Sequence, residues 1–245
     1  IATLPTTEIV AAINRAAYPG YAKLADDPKA LKDCYLGIMG YIVVIALPSA
    51  MGIAVLAPCI VPVLLGEQWL EAIPVMQLFA IGSAITAMST NAQYIYLVQG
   101  RQRITVRLTA ANGLGLVAGL IYWVPSNEIL GVAYAFVAVS VVLFPIQQWL
   151  LKHSLALGWR DLGVIVYRPL IASFIMVVFI NFVSKYKSND FFVFDSNVIL
   201  VVLVLTGIIV YGCVLLLIWK LVGKPIGIEQ ELIKALGFYL RRYIR

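Results

Sequence analysis

Charge is scarce in this chain of 245 residues. Only 12% of the residues are Asp, Glu, Lys or Arg, whereas 62% are hydrophobic, and the mean hydropathy is +0.95. So few charges cannot cover the water-facing surface of a domain of this size, which excludes a soluble enzyme, a disordered tail and a nucleic-acid-binding protein. The sequence therefore predicts an integral membrane protein.

Residues that carry catalytic or metal chemistry are also few. The chain has three cysteines and one histidine. Cys34, Cys59 and Cys213 lie far apart in apolar runs, so they suit neither a disulfide framework nor a metal site. His153 stands beside Lys152 in a predicted cytoplasmic connection, with no acid or nucleophile partner evident. We expect no enzyme activity, no metal and no cofactor.

Long hydrophobic runs are abundant, and a membrane-crossing helix needs about 20 mostly apolar residues. Proline, glycine and charge clusters divide the chain into seven such runs, which predict an all-α polytopic helix bundle. Their limits are 1–18, 33–57, 70–98, 104–124, 128–150, 163–184 and 196–221. A break is expected near Pro58, followed by a short interfacial piece. Residues 223–245 predict a cytoplasmic amphipathic helix.

Basic residues are distributed unevenly between alternate connections. Of the 18 lysines and arginines, sixteen fall in one set of connections and ends, and the other set holds Lys185 and Lys187 alone. Cytoplasmic loops carry the basic excess, so Ile1 is expected outside and Arg245 in the cytoplasm.

The first predicted span is the most polar. Thr3, Thr7, Asn14 and Tyr18 recur at helical spacing, with Glu8 and Arg15 beside them. An ionised group inside a bilayer usually faces a cavity or a partner, so this stripe predicts a water-filled cavity in which Arg15 attracts an anionic group. The alternative is that Glu8 lies at the external interface and Arg15 snorkels to the cytoplasmic one. The substrate-binding candidates are Thr7, Glu8, Asn14, Arg15 and Tyr18.

A milder polar stripe runs along the third span. Thr90, Asn91 and Tyr94 belong to it and are secondary binding candidates. Small polar residues at this spacing more often mediate helix packing, which is the alternative. Gly115 and Gly119 in the fourth span also indicate close helix packing.

Residues 14–83 resemble the second half of Wzx-type polysaccharide flippases, such as lipopolysaccharide (O-antigen), colanic-acid and teichuronic-acid exporters, within the multidrug/oligosaccharidyl-lipid/polysaccharide exporter superfamily. The features that carry the resemblance are Tyr18-Pro19, Asp26-Asp27, Leu47-Pro48, Gly52 and the run from Leu64 to Trp69. The resemblance implies two similar bundles of about seven helices that open alternately to each side around a central cavity. It makes this chain the second bundle, with Glu8, Asn14 and Arg15 on a cavity-lining helix. A first residue that is not methionine fits the expectation that the chain starts partway through a longer protein.

The function that this resemblance implies is translocation of undecaprenyl-diphosphate-linked oligosaccharide across the bacterial inner membrane. The expected partners are the lipid-linked substrate, membrane lipids, the missing N-terminal half and enzymes of polysaccharide assembly such as a polymerase and chain-length proteins. Three alternatives stay open: a cation-coupled multidrug-type exporter, a membrane-embedded polymerase or ligase, and a non-transporting scaffold of a polysaccharide assembly complex.

Overall fold

The computed structural model describes residues 2–186 and 196–222. Six α-helices and a short 3₁₀ segment, Glu67–Ala72, make up this part of the chain. The helices are α1 (Leu4–Lys23), α2 (Pro28–Leu64), α3 (Ile73–Val98), α4 (Gln102–Leu155), α5 (Trp159–Tyr186) and α6 (Ser196–Leu221). The tail predicted at 223–245 and most of the connection predicted at 185–195 lie outside the described residues.

Helices α2 to α6 are all long and apolar enough to cross a membrane, α3 together with the 3₁₀ segment before it. Helix α1 is the exception because of its polar residues. The described residues contain no strand. The all-α membrane bundle predicted from hydropathy is therefore confirmed.

Helix α4 is a hairpin of two antiparallel segments. Its 54 residues are interrupted at Glu128, where φ is 49° and ψ is −126°. The segments then pack closely: a Cβ on Gly119 would lie 2.8 Å from the Cβ of Ala135, and one on Gly131 would lie 2.6 Å from the backbone of Trp123. A Cβ on Gly115 would lie 3.2 Å from the side chain of Val139. The close packing predicted at Gly115 and Gly119 is confirmed.

The break predicted near Pro58 is wrong. Helix α2 continues for 37 residues through Pro48, Pro58 and Pro62, and the turn comes only after Leu64. Gly66 makes that turn with a φ of 96°, a conformation that suits glycine. The short piece that was expected to follow corresponds in position to the 3₁₀ segment, and its place at the membrane interface stays a prediction.

Prolines leave two backbone carbonyls of α2 without an N–H partner in the helix, and side chains of other helices donate hydrogen bonds to them. Pro58 has no N–H to donate to the carbonyl of Ala54, four residues earlier. The Nε2 of Gln77 in α3 donates to that carbonyl at 3.0 Å. In the same way Pro48 releases the carbonyl of Val44, to which the hydroxyl of Tyr211 in α6 donates at 2.8 Å. These bonds satisfy carbonyls that lipid cannot, which explains why the helix continues through Pro48 and Pro58.

Helix α2 is the centre of the bundle, since it contacts each of the other five helices. The largest buried cluster lies where α1 ends and α2 begins, and is built around Tyr21, Tyr35 and Tyr96. This end also carries the basic connections between α1 and α2, α3 and α4, and α4 and α5, and is called the basic end below. A second buried cluster, around Met76 and Met176, lies toward the opposite end.

The basic end is tied by one lysine. The Nζ of Lys32 lies 2.6 Å from the Oδ2 of Asp161 and donates to the carbonyl of Ala156 at 3.2 Å. The same carboxylate oxygen accepts from the backbone N–H of Gly158 at 3.0 Å. These bonds join the beginning of α2 to the beginning of α5.

Candidate functional site

Helix α1 has a buried side and an exposed polar side. With 100° between successive residues, Val10, Asn14, Ala17 and Tyr21 fall within one narrow arc, and all four are buried. The four exposed candidates lie on the outer surface of the bundle, between the edge of this arc and the opposite side of the helix. They are Thr7, Glu8, Arg15 and Tyr18. The structure thus separates the five substrate-binding candidates, since Asn14 is buried and the other four are exposed.

The buried side of α1 packs along α3, and the two helices run parallel. Asn14 Nδ2 donates to Thr90 Oγ1 at 3.3 Å. One turn further along both helices, the rings of Tyr18 and Tyr94 meet at a centroid distance of 6.1 Å and an interplanar angle of 64°. We call this contact the α1–α3 seam. It brings together the polar stripes that the sequence places in two separate spans.

A third contact completes the seam. The hydroxyl of Tyr21 donates to Asn91 Oδ1 at 2.9 Å, and both side chains are fully buried. Asn14 Oδ1 and Asn91 Nδ2 have no hydrogen-bond partner among the described residues. An unpaired buried amide atom costs roughly 1–3 kcal/mol, so the seam is held together at some expense of stability.

The third-span residues make hydrogen bonds both within α3 and to other helices. Thr90 also donates to the carbonyl of Ala87 within its own helix, at 2.8 Å. The hydroxyl of Thr86 lies 3.2 Å from that of Ser140, which joins α3 to α4. Packing therefore accounts for Thr86 and for the buried Asn91, whereas Thr90 and Tyr94 remain half-exposed beside the polar face of α1.

Glu8 and Arg15 both point away from the rest of the bundle. They are about 10 Å apart along the helix axis, and the ion pair found among the described residues joins Lys32 to Asp161 instead. Each ionised group costs about 2.5–3.5 kcal/mol at a bilayer centre on insertion scales. A face that carries two of them, exposed beside Thr7, suits water or another protein surface better than lipid.

Sequence reasoning missed a second buried polar group at the basic end. The hydroxyl of Tyr35 donates to Gln148 Oε1 at 3.0 Å, and that of Tyr96 donates to the backbone carbonyl of Gln147 at 2.8 Å. The adjacent glutamines inside an apolar span were the available signal. These bonds connect α2 and α3 to the second segment of α4.

Arg168 was also not singled out. It was counted with the residues of the basic connections, but it lies in the third turn of α5 and is 8% exposed. Its Nε donates to the hydroxyl of Tyr167 at 3.1 Å. A basic residue six positions inside a predicted span was the signal that could have identified it.

The fold and this polar face define a multi-pass helical membrane protein with one helix unsuited to lipid. Comparison with known proteins shows which proteins this chain is similar to. A family model described as "Polysaccharide biosynthesis protein" matches residues 1–74. Teichuronic acid biosynthesis protein TuaB of Bacillus subtilis (strain 168) is 24% identical over 213 residues, which are 86% of this chain and 43% of that protein.

Two further similarities agree. Lipopolysaccharide biosynthesis protein WzxC of Escherichia coli (strain K12) is 21% identical over 142 residues, covering 58% of this chain and 29% of that protein. Among solved structures, the lipid II flippase MurJ in an inward closed conformation superimposes with a TM-score of 0.72 at 14% identity, covering 89% of this chain and 44% of that one. The chain spans less than half the length of each of these proteins.

The resemblance to polysaccharide exporters is therefore confirmed, and the bundle has the fold of part of a flippase. The residues matched by the family model include α1, α2 and the 3₁₀ segment. The exposed polar face of α1 therefore lies within the matched part.

Proposed function

We propose that this chain is the C-terminal lobe of a flippase that moves undecaprenyl-diphosphate-linked oligosaccharide across the bacterial inner membrane for cell-surface polysaccharide synthesis. The observation that carries the proposal is the exposed polar face of α1, with Glu8 and Arg15, on a bundle that has a flippase fold. The names of TuaB and WzxC, which refer to teichuronic acid and lipopolysaccharide biosynthesis, support the substrate class.

The polar face of α1 lines the cavity between two lobes in this proposal. A second lobe, the N-terminal half of the intact protein, covers the face and keeps lipid away from its charges. Cytoplasmic connections carry the excess of lysine and arginine. The basic end of the bundle therefore faces the cytoplasm in this proposal, and the C-terminus is cytoplasmic. A polysaccharide polymerase and chain-length proteins are the expected partners that consume the product.

The exposed residues contact the substrate and the buried ones position them. The guanidinium of Arg15 attracts the diphosphate, since a guanidinium pairs with phosphate oxygens through charge-assisted hydrogen bonds. Thr7 and Thr90 contribute oxygen atoms for sugar hydroxyls. Asn14 is 1% exposed, so it acts through its bond to Thr90 and holds α1 against α3.

Replacement of Arg15 tests the proposal. In the intact gene product, Arg15→Gln keeps a polar side chain at this position and removes the charge. We expect export of the polysaccharide to be lost in a strain that depends on this gene, with lipid-linked oligosaccharide accumulating in the cytoplasmic leaflet. Arg160→Gln removes a charge that is also exposed, at the start of α5, and this variant is expected to export normally.

Protein abundance in the membrane is measured alongside, because Arg15 has no partner in the described residues whose loss would destabilise the bundle. Normal export by the Arg15→Gln protein would overturn the proposal. If the protein is instead a cation-coupled exporter of small molecules, Glu8→Gln is expected to abolish export of the small molecule, while polysaccharide still reaches the cell surface.

A further inference from the structure

Tyr18 and Tyr94 form an open aromatic corner on the α1–α3 seam. Their rings meet edge to face at 6.1 Å and 64°. Tyr18 is 42% exposed and Tyr94 is half-exposed. Neither hydroxyl has a hydrogen-bond partner among the described residues. The pair therefore offers both ring surface and two hydroxyls to a ligand.

The corner is held rigidly from both helices. Asn14 and Thr90, bonded to each other, stand one turn before Tyr18 and Tyr94 in their own helices. The Tyr21–Asn91 bond at 2.9 Å closes the seam on the other side. A fixed pair of aromatic rings loses little conformational freedom on binding, which favours recognition.

Arg15 stands three residues before Tyr18 on the exposed side, so the two side chains are neighbours on the helix surface, about 4.5 Å apart along the axis. A cation that holds phosphate thus lies one turn from the aromatic corner. A sugar joined directly to a diphosphate has the same arrangement of an anionic group followed at once by a ring.

We propose that Tyr18 and Tyr94 bind the sugar ring that is attached to the diphosphate of the lipid-linked substrate. The proposal rests on the proposed function and adds a sugar subsite to it. The C–H groups of a pyranose carry partial positive charge and stack against the negative faces of aromatic rings, while its hydroxyls bond to the phenolic oxygens at the edge of the corner.

Binding of two lipids to the purified intact protein tests the subsite. One is the lipid-linked oligosaccharide extracted from membranes of a strain that lacks the gene, and the other is undecaprenyl diphosphate without sugar. Wild-type protein is expected to bind the sugar-bearing lipid more tightly. Tyr18→Leu and Tyr94→Leu are each expected to weaken that binding about tenfold while leaving undecaprenyl diphosphate unaffected.

Phenylalanine at the same positions separates stacking from hydrogen bonding. Tyr18→Phe and Tyr94→Phe keep the ring, so the loss for the sugar-bearing lipid is expected to be smaller, about threefold. Tyr122→Leu is the matched control, because Tyr122 is 75% exposed on the first segment of α4. It is expected to bind both lipids as wild type does.

The possible results distinguish the two proposals. Wild-type protein that binds neither lipid would overturn the proposed function itself. The sugar subsite would be overturned if the wild-type protein binds both lipids equally, or if the tyrosine variants weaken the binding of both lipids to the same extent. Either result would leave the flippase assignment standing. Arg15→Gln is expected to weaken the binding of both lipids, since it removes the contact to the diphosphate that both lipids carry.

Discussion

The Nε2 of Gln77 donates to the backbone carbonyl of Ala54 at 3.0 Å, across the contact between α3 and α2. Ala54 stands four residues before Pro58, whose missing N–H leaves this carbonyl without its partner within the helix. A side chain from one helix thus completes the hydrogen bonding of another. This relationship explains how α2 continues through Pro58, and it leads to a prediction about both residues.

Gln77→Leu is expected to destabilise the protein by about 1 kcal/mol, because the carbonyl of Ala54 then has no partner inside the bundle. In a Pro58→Ala background the alanine N–H takes that carbonyl, so the same change at Gln77 is expected to cost much less. Thermal unfolding of the four proteins of this cycle in detergent measures the coupling. Equal effects of Gln77→Leu in both backgrounds would show that the bond to Ala54 does not matter.

Gly131→Ala is expected to destabilise the hairpin of α4 by about 1–3 kcal/mol, since the new methyl group would overlap backbone atoms that cannot move aside. The Cβ would lie 2.6 Å from the carbonyl carbon of Trp123. Gly113→Ala is the control in the same helix, where a Cβ meets nothing within 4 Å. There alanine is expected to be neutral or slightly stabilising, by up to about 1 kcal/mol. Matching losses at the two positions in thermal unfolding would contradict the close contact.

Tyr21→Phe is expected to cost about 1–2 kcal/mol, because it removes the donor to Asn91 Oδ1 and leaves that buried oxygen unpaired. The control is Tyr122→Phe, which removes a hydroxyl from a side chain that is 75% exposed. Resistance of the purified protein to unfolding in increasing sodium dodecyl sulfate reports the difference. If the two changes lower resistance equally, the seam does not depend on this hydrogen bond.

Lys32→Met is expected to destabilise by about 1 kcal/mol or less, because Lys32 and Asp161 are only partly buried, at 24% and 35% exposure. The more informative measurement is a charge exchange. Lys32→Asp and Asp161→Lys are each expected to lower the unfolding temperature, and the protein with both changes to recover part of the loss. Added salt is expected to reduce these differences in unfolding temperature, because it screens the interaction between the charges. Failure of the double variant to recover would mean that the lysine acts through the Ala156 carbonyl alone.

The sequence was sufficient for those features of the fold that depend on composition and local pattern. Runs of about 20 apolar residues predicted a helical membrane bundle, since backbone polar groups in lipid must be satisfied within a helix. Gly115 and Gly119 were recognised as packing positions because a missing side chain allows close approach in any helix pair. The polar residues of α1 were identified for the same local reason, as a stripe at helical spacing. The cavity-lining and substrate-binding roles of these residues stay predictions.

The proline-rich part of α2 shows where local reasoning was insufficient. A helix break was expected near Pro58 because proline removes a hydrogen bond and clashes with the preceding turn. The bond is replaced by Gln77, which lies 19 positions further along the chain and belongs to another helix. The carbonyl of Val44 depends in the same way on Tyr211, 167 positions away. No local pattern contains these contacts.

By itself, the sequence determined the class of protein, its helical content and the residues of the two polar stripes, because hydropathy and helical spacing are properties of short segments. Only the tertiary structure decided that the two stripes meet, with Asn14 and Asn91 inside the seam and Tyr18 beside Tyr94 at its exposed edge. Which side of a polar helix is buried depends on which other helix packs against it. That choice comes from the fit of side chains between α1 and α3, which are separated by the whole length of α2 in the chain.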